Sequence, residues 1–481
     1  MIFSSITFLI YFLPVFLIAY YFTPGKLKNV CILLFSIFFY AWGEPKFIFI
    51  LLGTTFLDFH LVSLIYNSKK QRTKNILLAV SLCLNLGLLF YFKYYNFFIE
   101  NVNHLLPDSN QLTLLKIALP LGISFYTFES LTYVLDVYKG VHKPLKSFLN
   151  YQTYILFFPK LLVGPIVRYH DIADQIIDRE KNNTNEVRLS GFYIFCIGLA
   201  KKIIIANTLA SQADKVFALP SGELDFVSSW VGALAFVFQN YFDFSGYSDM
   251  AIGLGKMTGF RLLENFNNPF LAKNISDFWR RWHISLTNWL NNYIFFPLVA
   301  SLRNWETKGI ALAIIITFLI SGLWHGAGWN FIVFGLLHGL ALSYELVTKK
   351  FRKKIQSKVP SPIYNFVSIA LTFLFIVITF VVFRLSSLKH SLVFIQNMFS
   401  SHVTYSKFTI NNDFVFFCCL AAFFAFFACT SFTKNLQLKV YGEVFTMKQH
   451  VIMALMSVLL LYVSLSFISA VGFSPFIYFK F

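Results

Sequence analysis

The 481-residue chain is 57% hydrophobic and only 13% charged, with a formal net charge of +18 and a mean hydropathy of +0.64. Soluble domains carry about 25% charged residues, so a soluble core cannot hide this much apolar surface and the class is a polytopic membrane protein. The basic residues fall in short clusters between apolar runs, as in cytoplasmic loops, which argues for membrane lipids rather than nucleic acid as the surroundings of the charge. Alternating strands of about ten residues, the mark of an outer-membrane barrel, are absent.

Several apolar runs reach the ~18 residues that cross about 30 Å of hydrocarbon as a helix. Ile2 to Phe22 lacks a basic leader and a small-residue cleavage site, and reads as a retained first helix. The first candidates are about 3–22, 29–43, 46–65, 76–98 and 113–137. The cluster Lys69-Lys70-Gln71-Arg72-Thr73-Lys74 belongs on the cytoplasmic side, which sets the N-terminus outside and Lys139, Lys143 and Lys146 inside. Tyr151 to Val167 is broken by Pro159, Lys160, Gly164 and Pro165 and reads as a re-entrant segment, because irregular backbone at membrane depth survives only inside protein or beside water.

Asp171 to Arg188 is polar and reads as a cytoplasmic loop. Phe192 to Leu209 and Phe226 to Tyr241 read as spans, the first interrupted by Lys201 and Lys202, whose long stems suggest an end that snorkels to an interface. Asn240 to Asp249 is unusually polar. Its carboxylates and hydroxyls could line a tunnel, with Asp243, Ser245 and Tyr247 as substrate-binding candidates, or solvate a loop. Asn274 to Leu290, taken as one helix, sets Arg280, His283 and Thr287 on one face and pairs Asp277 with Arg281. The other reading of that stretch is an interfacial helix with a tryptophan belt.

Ile310 to Leu323 and Phe331 to Leu346 flank Ser321-Gly322-Leu323-Trp324-His325-Gly326-Ala327-Gly328-Trp329. A histidine at membrane depth is costly and marks a functional site by default. A neutral imidazole can take a proton from an attacking hydroxyl, an effect worth roughly 10²–10⁴ in rate, and burial favours that neutral form. The alternative for His325 is a bond to a backbone carbonyl. Gly326, Ala327 and Gly328 would let substrate or a neighbouring helix approach the ring. Lys349-Lys350-Phe351-Arg352-Lys353-Lys354 is the strongest basic cluster and should be cytoplasmic. Spans at about 363–383, 414–432 and 450–471 complete an all-α protein of roughly eleven to thirteen transmembrane helices. Residues 1–481 read as one membrane domain, and the aromatic tail 473–481 falls on the extracytoplasmic side.

Cys31, Cys83, Cys196, Cys418, Cys419 and Cys429 lack ligand spacing, and nothing completes a metal site around His283 and His325. Nucleophile elbows, phosphate loops and zinc-protease motifs are absent. A transporter or flippase moving an acylated lipid or saccharide is the competing class, for which the broken segment near Pro159 and Gly164 and the polar stretch Asp243 to Asp249 would suit a path.

Trp279-Arg280-Arg281-Trp282-His283-Ile284-Ser285-Leu286, Trp324-His325-Gly326-Ala327, Phe158-Pro159-Lys160 with Gly164-Pro165-Ile166, and the aromatic tail together resemble the membrane-bound O-acyltransferase (MBOAT) family. Within it they are most similar to the membrane subunits of bacterial alginate and peptidoglycan O-acetylation systems, with the teichoic-acid D-alanylation transporter more distant. The resemblance implies helices and re-entrant segments around a central tunnel in the bacterial inner membrane, where a cytoplasmic acyl donor meets an acceptor from outside. It implies His325 as principal catalytic residue and His283 as the second; Trp324 and Arg280 join Asp243, Ser245 and Tyr247 as candidates for lining a tunnel or binding substrate. It further implies acetyl-CoA as donor substrate without a tightly bound cofactor, an extracytoplasmic SGNH-type esterase-like partner, and Tyr478 as an acyl relay. The other reading of the tail is an interfacial aromatic belt.

Overall fold

The computed structural model describes residues 1–400 and 412–471. Every regular element among the described residues is helical. Nine helices among them are long and apolar enough to cross a membrane, from Gly25–Gly43 to Met447–Ala470. The larger sequence count also includes three helices outside that set. Thr7–Phe22 is apolar but shorter, and the helices Ile123–Tyr138 and Phe226–Met257 bury charged and polar side chains along their length.

The chain clusters into two compact units. The first comprises Met1–Ile197, Tyr247–Leu263 and the described residues from Glu443 onward; the second comprises Gly198–Gly246 and the described part of Glu264–Gly442. Where the sequence reads as a single domain, each unit is thus assembled from separated stretches, an interleaving that hydropathy along the chain does not register.

In the first unit the irregular segment is buried from Tyr151 to Val167. The helix Phe148–Leu156 stops at Phe157, a single turn Phe158–Leu161 carries Pro159 at its start, and a bend at 162–164 leads into irregular chain. Phe158 is surrounded by the rings of Phe12, Phe16 and Phe39 at 5.4, 5.0 and 5.3 Å. Buried irregular backbone must still find hydrogen-bond partners, and Glu129 of Ile123–Tyr138 supplies one. One carboxylate oxygen accepts from Val167 N at 3.4 Å while the other pairs with buried Lys160. Tyr154 adds a hydroxyl 2.9 Å from Val167 O and a ring 4.7 Å from the Lys160 ammonium.

In the second unit the helices Glu306–His325 and Trp329–Val347 form a tight hairpin. Gly322 packs against the backbone of Phe331, so a Cβ there would collide with its carbonyl. At Gly326, the space a side chain would fill is taken by the Phe331 ring, so this glycine admits a neighbouring helix rather than substrate.

Candidate functional site

His283 and His325 flank the Trp324 ring in the second unit. The expected single helix over Asn274 to Leu290 is instead two short ones, Ile275–Trp279 and Ile284–Leu290, and His283 lies at the break with φ 45° and ψ 52°. Histidine is among the few non-glycine residues that tolerate this left-handed conformation. The break is held by the preceding strand-like stretch: Ile284 N donates to Asn265 O at 3.0 Å, and Asn267 N donates to Arg281 O at 2.9 Å. Because the helix stops there, Arg280, His283 and Thr287 do not share a face. The expected Asp277–Arg281 pair does form, at 3.0 Å.

The turn carries His283 to full burial, with Nδ1 3.2 Å from Asn265 Oδ1. Its ring lies 5.7 Å from that of Trp324, and the Trp324 ring lies 4.9 Å from that of His325. Trp324 is therefore a shared wall between the two imidazoles. His325 is the last residue of the helix Glu306–His325, is 6% exposed, and faces Phe383 at 5.2 Å and Phe334 at 6.1 Å. His283 Nε2 has no hydrogen-bond partner among the described residues.

Asp243 and Ser245 lie in the middle of the 32-residue helix Phe226–Met257, not in a loop. Phe244 between them packs edge-on against the His283 ring at 4.6 Å. The Ser245 hydroxyl is buried without a hydrogen-bond partner among the described residues, as are the side-chain oxygens of Gln239 and Asn240. Such groups are uncommon in a protein interior, and their concentration on one helix favours a polar lining. Lys202 does not snorkel. It is 2% exposed within the π-helical turn Lys201–Ala206 and pairs with Asp243 at 2.8 Å. A lysine inside an apolar run reads as an interfacial residue until a carboxylate far along the chain is found facing it. Tyr247 belongs to the first unit, where it stacks on Phe3 at 4.7 Å. Tyr478 lies outside the described residues.

Arg280 is not buried with the histidines. Its side chain is 70% exposed and lines a cavity of about 560 Å³ within the second unit, together with Lys273, Lys349, Arg352, Lys353 and Glu345. Trp279 and Thr287 also reach this cavity. Glu345 accepts from the backbone N–H groups of Ile275 and Ser276 at 2.6 and 3.0 Å, fixing the start of the short helix that carries Arg280. Five cations around one opening make a site for polyanions such as phosphates.

Residues that sequence reasoning missed complete the picture. Asn265 holds His283, and the amide-rich run Glu264-Asn265-Phe266-Asn267-Asn268 was its only local signal. His338, fully buried on Trp329–Val347, accepts from Trp279 Nε1 at 3.1 Å. Among the described residues, no group of three or more His, Cys, Asp or Glu could hold a metal ion.

The comparisons with known proteins give the class of this helical multi-pass chain. Residues 62–388 match the MBOAT, membrane-bound O-acyltransferase family, and the chain belongs to that family and is an acyltransferase of the membrane. It is 35% identical to the probable alginate O-acetylase AlgI of Pseudomonas putida over 505 aligned residues, covering 100% of both chains. It is also 35% identical to the peptidoglycan O-acetyltransferase of Helicobacter pylori, covering 83% of this chain and 80% of that one. The teichoic acid D-alanyltransferase of Bacillus subtilis is 29% identical over 56% of this chain and 70% of its own.

Proposed function

We propose that the protein takes an acetyl group from cytoplasmic acetyl-CoA and delivers it across the bacterial inner membrane for O-acetylation of an envelope polysaccharide, peptidoglycan or alginate-like. The observation that carries this reading is the His283–Trp324–His325 cluster, in a unit that also holds a cation-lined cavity. The relatives named as alginate and peptidoglycan O-acetylating proteins support the acyl group and the acceptor class.

The phosphates of the donor bind Arg280, Lys273, Lys349, Arg352 and Lys353, and the pantetheine arm carries the thioester inward. His325 takes the proton from the acceptor hydroxyl as its oxygen attacks the thioester carbon. The carbon–oxygen bond forms, the carbon–sulfur bond breaks, and the imidazolium returns its proton to the departing thiolate to give free CoA. His283 orients the reacting groups, and Asp243 and Ser245 line the passage with Trp324. Tyr478, on the extracytoplasmic tail 473–481, is the first acceptor, and its ester passes to an SGNH-type extracytoplasmic partner. Both termini lie outside the cytoplasm in this scheme, as the basic loops require.

The test is transfer from labelled acetyl-CoA by the full-length protein in liposomes. His325→Ala should abolish transfer and Tyr478→Phe should abolish sugar acetylation in cells. Movement of an acylated lipid or saccharide that survives His325→Ala would decide for a carrier instead.

A further inference from the structure

Two buried imidazoles in the second unit are each held by a hydrogen bond whose direction the partner fixes. Asn265 Oδ1 lies 3.2 Å from His283 Nδ1 and also receives the Ser285 backbone N–H at 3.2 Å and the Ser285 hydroxyl at 2.8 Å. A backbone N–H only donates, so this Asn265 atom is the amide oxygen, and an amide oxygen only accepts. His283 Nδ1 therefore carries hydrogen. With no charged partner in that bond, and full burial making an uncompensated charge costly, the ring is neutral and its lone pair sits on Nε2.

His338 is held the other way round. The Trp279 indole N–H only donates, and it points at His338 Nδ1 over 3.1 Å. Nδ1 is then the acceptor, the ring is neutral, and the hydrogen sits on Nε2. Neither His283 Nε2 nor His338 Nε2 has a hydrogen-bond partner among the described residues, although both rings are fully buried. The two rings close a series that runs from His283 to Trp324, His325, Phe334 and His338, with ring separations of 5.7, 4.9, 6.1 and 4.5 Å. Trp279, which sets the second tautomer, also lines the cationic cavity.

We propose that Asn265 and Trp279 are positioning residues that lock His283 and His338 into opposite neutral tautomers, giving the acyl-transfer site a hydrogen-bond acceptor at His283 Nε2 and a donor at His338 Nε2–H. His325 takes the single hydrogen of the attacking hydroxyl, so the acceptor at His283 Nε2 holds a different donor, such as an amide N–H of the pantetheine arm, while the thioester carbonyl oxygen gains negative charge that a preorganised donor stabilises. No bond is made or broken beyond those of the transfer itself.

The tautomers are read directly by ¹⁵N NMR of the full-length protein in bilayers with labelled histidine, the two signals being assigned by His283→Ala and His338→Ala. The expected result is Nδ1–H at His283 and Nε2–H at His338; either ring in the other form overturns the proposal. In Asn265→Asp, the carboxylate still accepts from Ser285 but holds a second proton on His283, so its signal becomes doubly protonated. Transfer should fall about 10- to 100-fold, the order of effect of altering the partner that orients and tunes a functional imidazole, and its rise with pH should move to higher pH. Trp279→Phe should free His338 to populate both tautomers, with a loss of similar size. Wild-type rate and pH profile in both variants would overturn the proposal, even if unfolding temperatures fell. The rate measurements rest on the acyl-transfer reading while the NMR does not. Full transfer in His325→Ala would sink that reading and leave the tautomers standing.

Discussion

A lysine–carboxylate pair is buried in each unit, and the two differ in what surrounds them. Lys160 and Glu129 lie on an irregular segment and the helix beside it, and the carboxylate also takes a backbone N–H that has no helical partner. Tyr154 covers the ammonium and bonds the same backbone. That pair stitches irregular chain to a helix. Lys202 and Asp243 lie on regular helical backbone apart from one π-helical turn, and their neighbours are Phe244, packed on His283, and the Ser245 hydroxyl, which has no hydrogen-bond partner among the described residues. A buried ion pair is weak evidence of stability, because desolvation offsets most of the attraction. What each pair contributes is set by its surroundings: scaffold in the first unit, the flank of the site in the second.

The largest expected effect tests that contrast at the histidines. His325→Ala should lower acetyl transfer by roughly 10²–10⁴, the worth of a general base, with an unchanged unfolding temperature in detergent. A variant that unfolded instead would make the second unit's buried polar groups scaffold as well.

Next come the pairs themselves. Glu129→Leu leaves a buried ammonium without its partner and should cost about 3–5 kcal/mol, whereas Glu129→Leu with Lys160→Met should recover most of that loss. Asp243→Leu should destabilise by a similar amount, and adding Lys202→Met should restore folding. The two double variants should then part: the first unit's regains transfer, and the second unit's folds but transfers poorly. Thermal unfolding and turnover measured on the same preparations decide it, and recovery of transfer in both would erase the distinction.

A smaller effect is expected at the cavity. Arg280 is largely exposed, so Arg280→Ala should weaken donor binding by about 1 kcal/mol, roughly a fivefold rise in KM for acetyl-CoA with kcat unchanged. The rise should shrink at high salt, where screening already weakens the attraction of Arg280 for the donor in the parent protein. A fall in kcat instead would link the cavity to the chemical step.

The sequence carried the helical class, the basic loops and both histidine motifs, because apolar run length, charge clusters and short motifs are local. It also carried the burial of Tyr151 to Val167, since a proline- and glycine-broken run cannot face lipid. Lys202 was misjudged because its partner lies on another helix, and snorkelling and pairing look alike along one strand of text. The break at His283 was hidden for a related reason. Residues 274–290 have good helical spacing, and the break is held by bonds that Asn265 accepts from Ile284 and Ser285 and that Asn267 donates to Arg281. His338 passed as an ordinary residue of an apolar span until Trp279 was found donating to it.

The smallest expected effect sharpens the contrast from the side of the first unit. His170, outside the apolar helices, has Nδ1 2.8 Å from Asp136 and Nε2 3.5 Å from Asp171, with its side chain 28% exposed. The hydrogen bond to Asp136 is the main cause that raises its pKa above the ordinary 6.5, against an opposing contribution from burial. A raised folded value means the native chain binds this proton more tightly than the unfolded one. The pair's contribution is therefore complete below about pH 6.5 and fades as pH climbs through the folded value. Asp136→Asn should accordingly lower stability by under about 1 kcal/mol at mildly acid pH, with the difference from the parent shrinking toward alkaline pH and in high salt. Denaturation followed at several pH values reads the effect, and transfer per folded molecule should keep its pH profile. A shifted transfer profile with unchanged unfolding would mean that a first-unit proton reaches the chemistry, and the division between scaffold and site would have to be redrawn.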